Sequence, residues 1–376
     1  VEDGVLYDKS KTTLLQYPIA KEGAAFTIPS YVTAIGPSAF SFVIAQVSFA
    51  PDTQISAIGN FAFNNYRGHS VVLPDTVRTI GRSAFKNCVN LTALTIPAGV
   101  KAIGEGAFVD AAGKISFSDD IEMNSINASA FENFKGDEIN LPPGLKSIES
   151  YAFTGCVNLK NIIVPENVES INSYAFYNCT GLKNITLPDS LLSIGSYAFY
   201  NCISLEEIVI PEKVANMGTN AFSNVSARVN FAEGSVIQTI GEGAFAYYRG
   251  ETLDIPDSVT SINSSAFYNC TNLISITLSD NLASIGDRAF YNCAGISGIV
   301  IPASVTSVGT NAFSYVTGRV EFDPLSNIKS IGSSAFLNYR GCELIIPESV
   351  TAIGSSAFGG CIALTDITIP KNVVVI

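Results

Sequence analysis

Apolar residues along this chain fall into one pattern that returns every 22 or 23 positions. In the stretch 182–202 they are Leu182, Ile185, Leu187, Leu191, Ile194, Ala198, Phe199 and Cys202. The alternation Ile185-Thr186-Leu187 predicts a short strand with two side chains facing inward. Pro188 then removes a backbone donor and ends the ladder on that side. A second extended piece carries Leu191 and Ile194 inward and is followed by Gly195. The Gly195 register holds Gly in eleven repeats, Asn at 127, 172 and 263, and Glu at 149. Gly and Asn tolerate positive φ, so a left-handed corner is expected there, with Glu149 strained or altered. A short helical or 3-10 turn should then present Ala198 and Phe199 to the core. Alanine is small enough for close approach of neighbouring coils.

The Ala-Phe pair recurs fifteen times, from Ala39-Phe40 to Ala357-Phe358. Self-similarity at a period in the twenties is the signature of stacked coils rather than of a globule. The expected fold is a β-rich repeat solenoid with short strands, a parallel sheet along one face and short 3-10 or helical turns. Residues 1–24 read as a strand-turn-strand variant or partial repeat, and residues 25–376 as a single solenoid of about fifteen repeats.

Three kinds of repeat alternate. One has Cys three residues after Phe and an apolar residue at six, as at Cys88/Leu91 and Cys293/Ile296. A second replaces the thiol with an aromatic-basic-glycine turn: Tyr66-Arg67-Gly68, Phe134-Lys135-Gly136, Tyr248-Arg249-Gly250 and Tyr339-Arg340-Gly341. Each of the four 22-residue intervals directly follows one of these. A third lacks the cysteine and ends its strand in Phe49, Phe117, Phe231 or Phe322 without proline. The order third, second, first recurs with extra copies of the first, which points to duplication of a three-repeat block. That history suits a spacer or display surface better than an active site.

Composition narrows the function. The chain has 376 residues, 47 % of them hydrophobic and 14 % charged, enough for a continuous core. A net charge of −12 argues against nucleic acid and against electrostatic docking on anionic lipid. No run of 18 apolar residues occurs, so no membrane-spanning segment is expected. Residues 370–376 open another repeat that stops before its Ala-Phe, and solenoids need polar caps. A fragment of something longer is therefore expected.

The pattern L-x-x-I-x-I-P-x-x-V-x-x-I-G-x-x-A-F-x-x-C resembles the bacterial surface antigen A-like (BspA-type) leucine-rich repeats over roughly residues 25–376. The opening from Asp3 to Leu14 is similar to a strand-turn-strand variant common in such proteins. The resemblance implies a right-handed solenoid, secreted or displayed on a microbial surface, that adheres to host matrix proteins, host cells or other microbes.

Candidate chemistry is sparse. Eight cysteines invite disulfides, yet seven share one register, where stacked Cβ vectors run parallel and disfavour bridging. Buried free thiols are the expectation, with Cys342 out of register and exposed. An in-line thiol row without histidine makes no tetrahedral zinc site. The lone histidine, His69, is expected as a surface turn residue rather than as the base of a nucleophile. Asp119, Asp120 and Glu122 read as a solvated turn or weak Ca²⁺ site before they read as a carboxylate pair for catalysis. No catalytic residue, metal or cofactor is expected.

Two ladders stand out as binding surface. The residue between the inward strand positions faces out, as at Ile163, Thr186 and Val209, and makes a mostly uncharged, often β-branched stripe. At about 4.8 Å per coil it would run roughly 70 Å. β-Branched residues also simply suit strands. The second ladder is tyrosine: Tyr151, Tyr174 and Tyr197 before Ala, and Tyr177, Tyr200, Tyr268 and Tyr291 after Phe. Tyrosine is enriched at recognition sites, though stacking between coils would cluster it equally well. The reading is a monomeric, non-catalytic adhesin with a protein or glycan partner. A structural stalk carrying another domain, or a glycan-binding scaffold, is the alternative.

Overall fold

A computed structural model describes residues 1–21 and 23–376, and the chain divides into two compact units, Val1–Pro188 and Asp189–Ile376. Each unit is a β-solenoid whose parallel strands come from successive coils. In the first, Asn161–Ile163 pairs in parallel with Asn184–Thr186, Ile162 opposite Ile185. In the second, Ser284–Ile285 pairs with Ser307–Val308, Ile285 opposite Val308. Equivalent positions of neighbouring repeats therefore lie side by side, which converts the sequence period into columns of like residues. At the start of the first unit, Leu6–Tyr7 pairs antiparallel with Thr13–Gln16, which in turn pairs in parallel with Ala34–Ile35.

The core is a stack of rings. From Phe40 to Phe336 every Ala-Phe phenylalanine is fully buried. Within each unit successive rings sit 5.0–5.8 Å apart in near-parallel planes, as in Phe63–Phe85 at 5.0 Å and 2°. The Ala-Phe corner is also a backbone ladder, in which the Phe N–H donates to the Ala carbonyl of the next coil. Phe40 to Ala62 is 2.7 Å, and Phe290 to Ala312 is 2.8 Å.

The corner itself differs from the sequence expectation. The glycine register is not left-handed, because none of Gly36, Gly59 or Gly81 has positive φ. Left-handed residues instead occupy two other places in all fifteen repeats: the residue before Ala (Ser38, Ser83, Tyr151) and the second after Phe (Asn65, Asn87, Asn201). Three tight turns close around them, Ala39 to Gly36 O, Ser41 to Ser38 O and Val43 to Phe40 O. Alternating φ signs prevent the turns from merging, so this corner is neither α nor 3-10, and no helix occurs among the described residues. The glycine serves crowding instead. A Cβ on Gly59 would lie 2.7 Å from the carbonyl carbon of Gly36, and one on Gly309 would lie 2.6 Å from that of Gly286. Glu149 is unstrained at φ, and its carboxylate accepts from Ser147 Oγ at 2.8 Å and Asn172 Nδ2 at 2.9 Å.

The three repeat types differ in what fills the space three residues after Phe. The thiols of Cys88, Cys156, Cys270 and Cys293 donate to the Phe carbonyl of the preceding coil at 2.9–3.0 Å. They are free, and all but Cys361 and Cys342 are fully buried. Burial pushes the Cys88 thiol up to about 12, and holds Cys156 and Cys293 well above the ordinary range.

In the second type a buried aromatic takes the thiol's place, edge-on to its own Phe: Tyr66, Phe134, Tyr248 and Tyr339. The tyrosine hydroxyl substitutes for a strand. Tyr66 Oη accepts from Val47 N at 3.0 Å and donates to Ala45 O at 2.9 Å. Tyr248 Oη does the same for Val229 N and Ala227 O, at 3.3 and 2.9 Å. The outer sheet breaks at all four of these junctions, after Gln46–Phe49, Lys114–Phe117, Arg228–Phe231 and Arg319–Phe322. Phe134 has no hydroxyl, and there a direct parallel bridge, Ile115 opposite Ile139, spans the same junction. The turn glycine makes room for the ring, since a Cβ on Gly68 or Gly250 would collide with the tyrosine hydroxyl.

Candidate functional site

The outward strand positions are open to solvent in both units. In the first, Val72 is 80 % and Ile163 72 % exposed, with Thr186 exposed beside Ile163 in the same strand pair. In the second, Val209, Val300 and Ile345 are exposed on the same register, while Asn230 and Glu321 are half-buried. These residues point away from the ring stack because the strand pleat alternates sides.

Ile163 also borders a groove of about 490 Å³. Glu138, Ile139, Asn140, Leu141 and Pro143 form one wall, and Asn161, Ile162, Ile163, Pro165, Glu166 and Asn167 the other. Glu138 pairs with Asn161, and then the two chains part at Pro142-Pro143, where the missing donors forbid further pairing.

The predicted tyrosines pack against one another within each unit. Tyr151 and Tyr174 stack at 4.8 Å and 4°, and Tyr177 tilts against Tyr174 at 5.5 Å. In the second unit Tyr197 and Tyr200 lie 5.8 Å apart. Tyr268 and Tyr291 stack at 5.1 Å and 7°. Sequence reasoning missed two members of that last cluster. Tyr247 packs edge-on to Tyr268 at 5.6 Å and Tyr315 against Tyr291 at 5.2 Å, making a four-coil row. Both occupy the second position after Phe, where asparagine prevails, and that departure is the signal that would have found them.

The remaining candidates are dispersed. His69 is exposed, its Nδ1 3.4 Å from Asn90 O. Glu122 pairs with Lys101 at 2.6 Å, and Asp119 and Asp120 are exposed beside it. No group of three His, Cys, Asp or Glu side chains suited to a metal ion occurs among the described residues. Among the described residues no helix is long and apolar enough to cross a membrane.

Comparison with known proteins matches the repeat geometry. The profile of the BspA type leucine rich repeat region matches residues 22–122, 112–229, 238–344 and 329–376, nearly the whole chain. The chain belongs to the BspA-type leucine-rich repeat family. Among solved structures, a leucine-rich repeat protein from Bacteroides ovatus is 23 % identical over 99 % of this chain and 94 % of its own, with a TM-score of 0.67. That likeness supports the leucine-rich-repeat fold. A leucine rich cell surface protein from Faecalibacterium prausnitzii is 26 % identical over 96 % and 92 % of the two chains, with a TM-score of 0.42. The pneumococcal vaccine antigen PcpA is 18 % identical over 96 % and 83 %, with a TM-score of 0.38. No curated protein matches significantly. The sheet breaks accompany the aromatic-basic-glycine turns whether the buried ring is tyrosine or Phe134.

Proposed function

We propose that this BspA-type repeat protein is a non-catalytic adhesin, secreted or held at a microbial surface, that presents its outward sheet faces to host matrix proteins. The observation that carries the reading is the exposure of large aliphatic side chains, Ile163 above all, at positions where a short polar residue would serve the strand equally well. Isolated exposed aliphatics are ordinary. Ile163 instead sits at the rim of a groove with apolar floor residues Ile139 and Ile162 and proline walls, where a partner side chain can be buried. The tyrosine clusters at Tyr151–Tyr174–Tyr177 and Tyr197–Tyr200 add contact area at low entropic cost. The surface location rests on membership of the BspA-type family. A non-catalytic role is in keeping with the dispersed placement of His69 and the carboxylates.

The test is solid-phase binding of the chain to immobilised fibronectin, fibrinogen and a wider panel of matrix proteins. Saturable binding that Ile163→Asp weakens tenfold or more is expected. The absence of saturable binding to every member of the panel would refute the reading.

A further inference from the structure

The left-handed positions carry information beyond the fold. At the second residue after Phe, twelve of fifteen repeats use Asn, Asp or Gly, the residues that accept positive φ most readily. Tyr247 and Tyr315 stand among the three exceptions, at φ 58° and 64°. At the residue before Ala, Ser, Gly and Asn hold ten of fifteen repeats, and the bulky residues there are Phe61, Tyr151, Tyr174, Tyr197 and Arg288, the last at φ 56°. A bulky side chain in this region costs about 1–2 kcal/mol, and such strain marks positions retained for a role other than stability. Of these bulky left-handed residues, Tyr247, Arg288 and Tyr315 share one patch of the second unit with Tyr268 and Tyr291.

Beside Tyr247 lies a polar cleft of about 280 Å³ lined by Asn224, Arg249, Asn269, Thr271 and Asn272. Arg249 Nε donates to Asn224 Oδ1 at 2.9 Å, which fixes the guanidinium and leaves its terminal nitrogens available. Neither Arg249 nor Arg288 forms an ion pair among the described residues, in a chain of net charge −12. Tyr247 is 47 % exposed.

We infer that this cleft and tyrosine row bind an acidic glycan through a sugar carboxylate. Side-chain amides that both donate and accept suit sugar hydroxyls, and a fixed guanidinium suits a carboxylate in bidentate geometry. The tyrosine hydroxyls, repeating at each coil, continue that hydrogen-bonding track along the row. A peptide segment would ask instead for apolar pockets, which this cleft lacks. The site occupies a different corner of the coil from the sheet face proposed above, and stands or falls independently of it.

The probes are a hyaluronan hexasaccharide and sialyllactose, with chitohexaose and lactose as neutral counterparts, titrated into the full chain by calorimetry. At least one acidic probe should bind saturably and at least tenfold more tightly than its neutral counterpart. Arg249→Gln should abolish that preference. Tyr247→Asn should weaken binding at least fivefold while the melting temperature stays the same or rises, because asparagine fits the left-handed backbone better. A purely structural tyrosine would give unchanged binding. Equal affinity for acidic and neutral probes, no saturable binding at millimolar concentration, or indifference to both substitutions would overturn the inference. Matrix-protein binding measured in parallel on the same variants should be unaffected.

Discussion

Replacing Tyr248 with Phe tests the claim that a buried hydroxyl stands in for a strand. The substitution keeps the ring, whose edge-on contact with Phe245 at 5.8 Å matches the 5.9 Å contact of Phe134 with Phe131. It removes the acceptor of Val229 N–H and a donor to Ala227 O, both in a fully buried environment. Each orphaned buried group costs about 1–3 kcal/mol. Partial relaxation toward the bridged arrangement seen at Phe134 offsets part of that, so a net loss of about 2 kcal/mol is expected. Urea denaturation of the whole chain gives the stability change. Amide hydrogen exchange at Val229 locates it, since faster exchange there is the local signature of a lost acceptor. An unchanged midpoint with unchanged Val229 exchange would refute the reasoning, because Val229 N–H and Ala227 O would then not depend on the hydroxyl for a partner.

Phe290→Ala removes a fully buried ring stacked at 5.1 Å on Phe267 and 5.2 Å on Phe313. It should cost about 3–5 kcal/mol by chemical denaturation, and a loss below about 1 kcal/mol would reverse the assignment of inside and outside. Gly309→Ala places a Cβ 2.6 Å from the Gly286 carbonyl carbon and should destabilise by about 1–3 kcal/mol. A neutral result would return this register to a purely conformational role. Alkali should destabilise the fold through its buried thiols. The Cys88 thiol is raised in the folded state from 9.0 to about 12, so its contribution is complete below pH 9 and is lost as the pH rises toward 12. The slope is about 1.4 kcal/mol per pH unit for each such thiol. Cys88→Ala should flatten the stability–pH curve above pH 9, and an unaltered curve would count against this linkage.

The period of 22 or 23, the inward columns and the three repeat types were legible in the chain because stacking makes each repeat's environment nearly the same as its neighbour's. A residue's side of the coil then follows from its register alone, as the burial of every Ala-Phe phenylalanine from Phe40 to Phe336 and the exposure of Ile163 and Val209 attest. The turn was legible only in part. Asparagine at nine of the fifteen second positions after Phe was a usable sign of left-handed backbone, whereas serine before Ala carries no such sign. The glycine register drew the left-handed assignment because glycine serves two purposes, positive φ and close approach. Only the neighbouring coil, 2.7 Å from where the Cβ of Gly59 would be, decides between them.

Tertiary structure also decided what the variant residues do. Tyr66 and Tyr248 read locally as members of a turn, yet they are core residues whose hydroxyls take the hydrogen bonds of an absent strand partner. Tyr247 and Tyr315, marked in sequence only by standing where asparagine prevails, join Tyr268 and Tyr291 in one row because parallel stacking brings residues 21 to 24 positions apart within 5–6 Å. The sequence alone determined the repeat and its inside. The distances between coils determined where the backbone is strained, where the sheet breaks and which surface residues meet, since those depend on atoms a full turn away along the chain.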